Sequence, residues 1–144
     1  MAPGTSFSPI LSDVLSKSSE KVTRVVFVAG KLYYDLVKAY AEQSSELTDK
    51  IAIVRLEEIC PFPRDELASE LERFPNVHEY VWCQEETMNA GAFTYVQPRI
   101  QSLLPNNNML RYIGRAPLAA PVTGISNVFK AEQSRILQEV FTGI

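Results

Sequence analysis

The stretch VWCQEETMNAGAF, residues 81–93, sets an apolar run directly before Gln84, Glu85 and Glu86 and reaches Gly91 through a short polar segment. Two carboxylates can share acid and base work only when both aim at one substrate. Glu85 and Glu86 are adjacent, so on an extended segment they face opposite ways. That geometry suits one acid turned inward to an arginine, with Arg55, Arg99 and Arg115 as partners, and one turned outward. A structural or interface role is expected of the pair in preference to catalysis.

Other reactive groups are sparse. Cys83 and the single histidine, His78, lie five residues apart on one strand-like segment, about 16 Å if extended, too far for a nucleophile and its base. Two cysteines and one histidine fall short of the four ligands of a structural zinc site. Cys60 and Cys83 each end an apolar run and are expected to be buried free thiols rather than a disulfide. AGKLYY lacks the glycine and the Ser/Thr of a phosphate loop, since Val25 and Leu32 stand there. Gly30 and Lys31 at a helix start can still hold an anion, or can form a plain tight turn with a solvated lysine.

Alternating elements must position these groups. VTRVVFVAG (22–30), KIAIVRLEEI (50–59), HEYVWC (78–83) and MLRYIG (109–114) read as strands. Leu32, Leu36 and Tyr40 mark an amphipathic helix, with Tyr33, Tyr34 and Tyr40 expected to pack on the sheet or a neighbour. A second helix starts at Pro63, carries Asp65 and Glu66 near its positive end, and buries Leu67, Leu71 and Phe74. Phe93, Val96, Ile100 and Leu103 mark a third helix, which Pro98 is expected to kink or split. Residues 128–141 form a fourth, capped by Ser126 or Asn127. Residues 1–20 read as an irregular lead-in and 21–144 as one domain. The order predicts an α/β fold, a mostly parallel sheet with helices on both faces. Ligands in such folds sit beyond the carboxyl ends of the strands. Those ends carry Gly30 and Lys31, Arg55, Gln84 to Glu86, and Arg115.

Composition narrows the function. A net charge of −3 without a basic run argues against nucleic-acid or anionic-membrane binding. Strongly apolar runs reach only about five residues, too few for a membrane-spanning helix. The first residues lack the apolar core of a signal peptide and the arginine-rich pattern of a transit peptide, so no address is read from them.

Taken together, MAPGTSF, FVAGKLYYDLVK, IAIVRLEEICPFPRDEL, RFPNVHEYVWCQEETMNAGAFTYVQPRI and IGRAPLAAPVTG resemble, in this order, one domain. It is the C-terminal domain of the thiamine-diphosphate-dependent decarboxylase component of 2-oxoacid dehydrogenase complexes, in the 2-oxoglutarate and 2-oxoadipate branches. MAPGTSF and LEEICPFP sit nearer the 2-oxoadipate branch. The resemblance covers Met1 to Phe141.

It implies a transketolase C-terminal type sandwich of three layers. Gln84, Glu85, Asn89 and Gly91 match a family segment that contacts the rest of a dimeric enzyme, and Phe93 and Tyr95 extend that surface. Some members bind acetyl-CoA or AMP in or beside this domain; Lys31, Arg55, Gln84 and Arg115 are the matching rim positions. The family's catalytic histidines, magnesium ligands and diphosphate motif belong to upstream domains, and no Gly-Asp-Gly occurs in this chain. No catalytic residue, cofactor site or metal site is therefore expected here, and thiamine diphosphate and magnesium belong to the full-length enzyme. Met1 aligns with an internal methionine of the family, so the chain reads as a fragment. The implied partners are the upstream catalytic domains, their dimer mates, and the lipoyl acyltransferase reached through the full enzyme. The implied setting is the tricarboxylic acid cycle or lysine degradation, in the mitochondrial matrix of a eukaryote or the cytoplasm of a bacterium. A free-standing CoA- or nucleotide-binding module is the alternative.

Overall fold

The computed structural model of the chain describes residues 6–119 and 126–144. In chain order the elements are β1 (Ile10–Leu11), β2 (Arg24–Val28), α1 (Leu32–Ala41), α2 (Ser45–Thr48), β3 (Ile51–Leu56), α3 (Arg64–Glu72), β4 (Glu79–Thr87), α4 (Phe93–Gln101), a 3₁₀ turn at Pro105–Asn107, β5 (Leu110–Arg115) and α5 (Ser126–Val140). The sheet order is β1-β3-β2-β4-β5, with β1 antiparallel and the other pairings parallel.

The sheet is buried on both faces, which explains its run of β-branched residues. Val25, Phe27, Val54, Tyr80 and Trp82 pack with Leu67 of α3 and Val96 and Ile100 of α4. On the opposite face Val26, Val28, Ile53, Val81, Cys83 and Ile113 pack with Leu32 and Leu36 of α1 and Ile136 and Val140 of α5. Three layers result, as the alternation of elements requires.

Several expectations change. The lead-in contributes β1, whose Ile10 pairs with Leu56 and enters the core. Just beyond β1, the buried Asp13 accepts the backbone N–H of Ile53 at 3.1 Å, so this segment satisfies a backbone group of β3 that the two-residue β1 does not reach. β4 runs four residues past Cys83. Its polar letters hid a strand whose Gln84 and Thr87 are buried. Pro98 does not split α4. Thr94, whose carbonyl loses its usual partner at Pro98, is exposed, so water can satisfy it. Ser126 and Asn127 lie inside α5 rather than capping it. Both thiols are free, but Cys60 is exposed in the loop after β3, and only Cys83 is buried.

Candidate functional site

The carboxyl ends of β2, β3, β4 and β5 form one rim, with an inner and an outer part. The inner part centres on Gln84. Its side chain lies on the same face as Trp82 because the two are two residues apart on β4. The Gln84 Oε1 accepts the Trp82 Nε1–H at 2.8 Å and the Phe93 backbone N–H at 3.1 Å. Its Nε2 donates to the Thr87 carbonyl at 2.9 Å and to the Glu86 carbonyl at 3.4 Å. The buried amide is thus satisfied on both sides, as burial of a polar group demands. Gly91 permits this: a Cβ there would sit 2.6 Å from the Gln84 Cδ. Phe93 stacks on Tyr112, ring centroids 4.7 Å apart, and starts α4 against the core. Asn89 donates to the Leu118 carbonyl at 2.8 Å and accepts the Leu118 N–H at 3.1 Å, pinning the segment after β5.

Arg115, 3% exposed, completes the inner part. It donates to Glu132 and Gln133 at 3.1 Å each, to the Phe129 carbonyl and to the Glu85 carbonyl, and it stacks 4.0 Å above the Phe129 ring. Its charge anchors α5 to the end of the sheet. The arginine expected at the Glu85 carboxylate therefore meets the Glu85 backbone instead.

The outer part carries open charge. Lys31 starts α1 after Gly30, whose φ of +68° is a left-handed turn that favours glycine. Its ammonium is 76% exposed and stands 3.4 Å from the Glu85 carboxylate. Arg55 pairs with Glu57 at 2.6 Å and lies 4.4 Å over Tyr33 and 5.4 Å from Tyr34. Tyr40 packs on Phe141 as expected, whereas Tyr34 stays exposed.

The four predicted anion residues therefore do not converge. Lys31 faces outward, Arg55 is committed to Glu57 and the Tyr33 ring, Gln84 points towards α3 and α4, and Arg115 is committed to α5. Between the ends of β2 and β4 a cavity of about 180 Å³ is lined by Ala29, Gly30, Ile59, Trp82, Gln84 and Glu86. That is smaller than the roughly 300–1,000 Å³ of a typical small-molecule site. Tyr95 lies outside the rim, under Arg99, whose Cζ is 3.6 Å from its ring.

Nucleophilic chemistry finds no support at Cys83. Burial, with the Glu139 charge second, pushes its thiol up to about 12, so it stays protonated and inert. Burial likewise pushes the Tyr112 phenol up to about 12. Among the described residues, no three His, Cys, Asp or Glu side chains are placed to hold a metal ion. The donor set here does not fit a magnesium-diphosphate cradle.

One functional residue escaped the sequence reading. Arg24, 1% exposed, donates to Glu79 at 2.6 Å and to the Val140 and Thr142 carbonyls at 2.7 and 2.9 Å. It caps the end of α5 as Arg115 holds its start. An arginine inside the apolar run VTRVVFV was the available signal, because arginines are rarely buried unless paired.

The architecture is shared with a "Split gene transketolase, inactive beta4 tetramer", matched with a TM-score of 0.61 at 16% identity over 99% of this chain and 45% of that one. This defines an α/β domain of transketolase type. The chain belongs to the family described as 2-oxoglutarate dehydrogenase C-terminal, which matches residues 1–141. Its relatives are 2-oxoglutarate and 2-oxoadipate dehydrogenase E1 components, matched over their C-terminal region. Relatives include a "Probable 2-oxoadipate dehydrogenase complex component E1 homolog" of Dictyostelium discoideum, 39% identical over 98% of this chain and 15% of that protein. A "2-oxoglutarate dehydrogenase E1 component" of Exiguobacterium is 43% identical over 95% of this chain and 14% of that protein. The human "2-oxoadipate dehydrogenase complex component E1" is 40% identical over 98% and 15%. The chain thus spans about 15% of the length of the relatives it matches. Eukaryotic relatives include mitochondrial proteins, such as the "2-oxoglutarate dehydrogenase-like, mitochondrial" protein of Pongo abelii. Among the described residues no helix is long and apolar enough to cross a membrane.

Proposed function

We propose that this domain serves assembly and regulation within a thiamine-diphosphate-dependent enzyme that oxidatively decarboxylates 2-oxoglutarate or 2-oxoadipate and passes the acyl group to a lipoyl acyltransferase. The observation that carries the reading is the internal satisfaction of the rim's conspicuous polar groups. Gln84 and Arg115 hold β4, α4, β5 and α5 together rather than facing a reaction. Thiamine diphosphate and magnesium supply the chemistry from other domains of a dimeric enzyme. Those domains meet this one across the segment from Gln84 to Tyr95, and the enzyme works in the mitochondrial matrix or, in a bacterium, in the cytoplasm.

The test mixes the purified chain with the Dictyostelium relative truncated before its matching region. Stoichiometric association by analytical ultracentrifugation is expected, and the chain alone should neither bind thiamine diphosphate nor release CO2 from either 2-oxoacid. CO2 release by the chain alone overturns the reading.

The open charge at Lys31 favours a second role, docking the phosphates of a regulator such as acetyl-CoA or AMP at the outer rim. Calorimetry with both nucleotides should then show binding that Lys31→Ala weakens. Equal binding by the variant removes the role.

A further inference from the structure

Arg24, Arg55, Arg73, Arg111, Arg115 and Arg135 each meet a carboxylate at 2.6–3.1 Å. Arg64 and Arg99 do not; among the described residues neither has an ion-pair partner. These two exceptions are linked. Arg64, at the start of α3, donates to the Ser102 hydroxyl at 2.8 Å, and that hydroxyl donates to the Arg99 carbonyl at 2.8 Å. Tyr95, Arg99 and Ser102 recur at helical spacing on one face of α4. Arg99 is held in place by the Tyr95 ring and by a 2.6 Å bond to the Tyr95 carbonyl.

The link reaches the Arg99 backbone, while its guanidinium lies over Tyr95; both charges lack a counter-ion among the described residues, and a guanidinium stacked on an aromatic ring still offers its edge as a planar fork. Such forks match carboxylates in a bidentate manner. Arg64 and Ser102 are exposed, and no described cavity encloses the pair. A small metabolite would find little burial on this open surface. A carboxylate presented by a protein surface needs no cavity.

We infer that Arg64 and Arg99 form a clasp for an acidic segment of the remaining polypeptide of the enzyme. The inference rests on the reading above, that this domain works as one part of a larger protein, and it names the charge that the partner must present. The relatives carry ample further polypeptide to supply it, since the chain spans about 15% of their length.

The test follows the Nε–Hε signals of the arginines by NMR while hexaglutamate is added to the whole chain. Arg64 and Arg99 should shift together and saturate, and the binding should weaken as salt is raised. Arg64→Gln with Arg99→Gln should weaken binding at least about tenfold, the loss expected when charge-assisted bonds are removed. Lys17→Gln with Lys130→Gln removes the same charge from exposed positions and should leave binding unchanged. Amide spectra confirm that each variant is folded, and Arg64→Lys with Arg99→Lys, which keeps the charge and loses the fork, should bind with intermediate strength.

The clasp is overturned if the arginine signals stay still, if the control pair weakens binding equally, or if inorganic phosphate binds as tightly as hexaglutamate. Association with the truncated relative separates this inference from its foundation. Equal association of parent and glutamine pair removes the clasp and keeps the larger reading. Hexaglutamate binding at the two arginines without any association keeps the clasp's chemistry and removes the larger reading.

Discussion

Lys31 follows β2 and Arg115 ends β5 at the carboxyl end of the same sheet, yet they do opposite things. Arg115 is buried and bonded to α5 and to the Glu85 carbonyl. Lys31 extends into solvent with one loose ion pair. The inner rim holds its charge by geometry and the outer rim leaves it available. A cation at a strand end is thus either a structural anchor or an open ligand, and what decides is whether a helix covers it. α5 covers Arg115, whereas Lys31 stands at the exposed start of α1.

The largest effect that can break this contrast is Arg115→Ala. It leaves the Glu85 and Phe129 carbonyls and Gln133 without their donor and removes a buried charge partner from Glu132. Breaking a buried pair costs about 3–5 kcal/mol, and the lower end applies here because Glu132 is partly exposed. Urea unfolding should show a loss of about 3 kcal/mol. A loss no larger than that of a surface substitution would mean that α5 is held without Arg115.

Gly91→Ala comes next. The added Cβ would overlap the Gln84 amide, which is itself fixed by its bonds to Trp82, Phe93 and Thr87. Overpacking of this kind costs about 1–3 kcal/mol. In a Gln84→Ala background the same substitution should cost clearly less, because the clash partner is gone. A double-mutant cycle measures the difference. Equal costs in both backgrounds would deny that Gly91 exists to admit Gln84.

The sheet and its two helical faces were legible because apolar periodicity reports burial directly. The Gln84 hub was half legible. The family resemblance marked Gln84, Glu85, Asn89 and Gly91 as a unit, yet the residues read as a polar loop where β4 continues. Side-chain type does not reveal that Trp82, Phe93 and Thr87 will meet one amide, since those contacts depend on how α4 turns back onto β4. The role of Arg115 was hidden for the same reason: Phe129, Glu132 and Gln133 lie across the long connection to α5. β1 was missed because two residues carry no periodicity.

High pH sharpens the contrast with a smaller effect. Cys83 and Tyr112 lie inside the rim, and burial raises both above their ordinary values of 9.0 and 10.0, to about 12 in each case. The folded chain holds these protons more tightly than the unfolded chain. Their contribution is therefore complete below pH 9.0 and is lost as pH rises towards about 12. The urea midpoint should fall over that window, and Tyr112→Phe should make the fall shallower. A native-state thiol reagent should modify exposed Cys60 and spare Cys83 until urea is added. Rapid native labelling of both thiols would show that the inner layer opens easily.

Lys31→Ala should have the smallest effect on stability, and that smallness is its value. The ammonium is 76% exposed, its contact with Glu85 is 3.4 Å, and no buried group depends on it. Exposed ion pairs contribute about 0–1 kcal/mol, and surface substitutions usually stay within about 0.5 kcal/mol. Lys31 also stands at the N-terminal end of α1, where a positive charge opposes the helix dipole. Removing it offsets part of the lost ion pair, so the net change in urea unfolding should lie within about 0.5 kcal/mol. Raised salt should weaken the exposed pair further and keep the change inside that range. If the variant instead loses as much as Arg115→Ala, the outer rim is structural as well, and the open charge that distinguishes it from the inner rim is not open. If stability holds while acetyl-CoA or AMP binding drops, the outer cation acts on a ligand, and the two ends of the same sheet edge divide between holding the fold and meeting a partner.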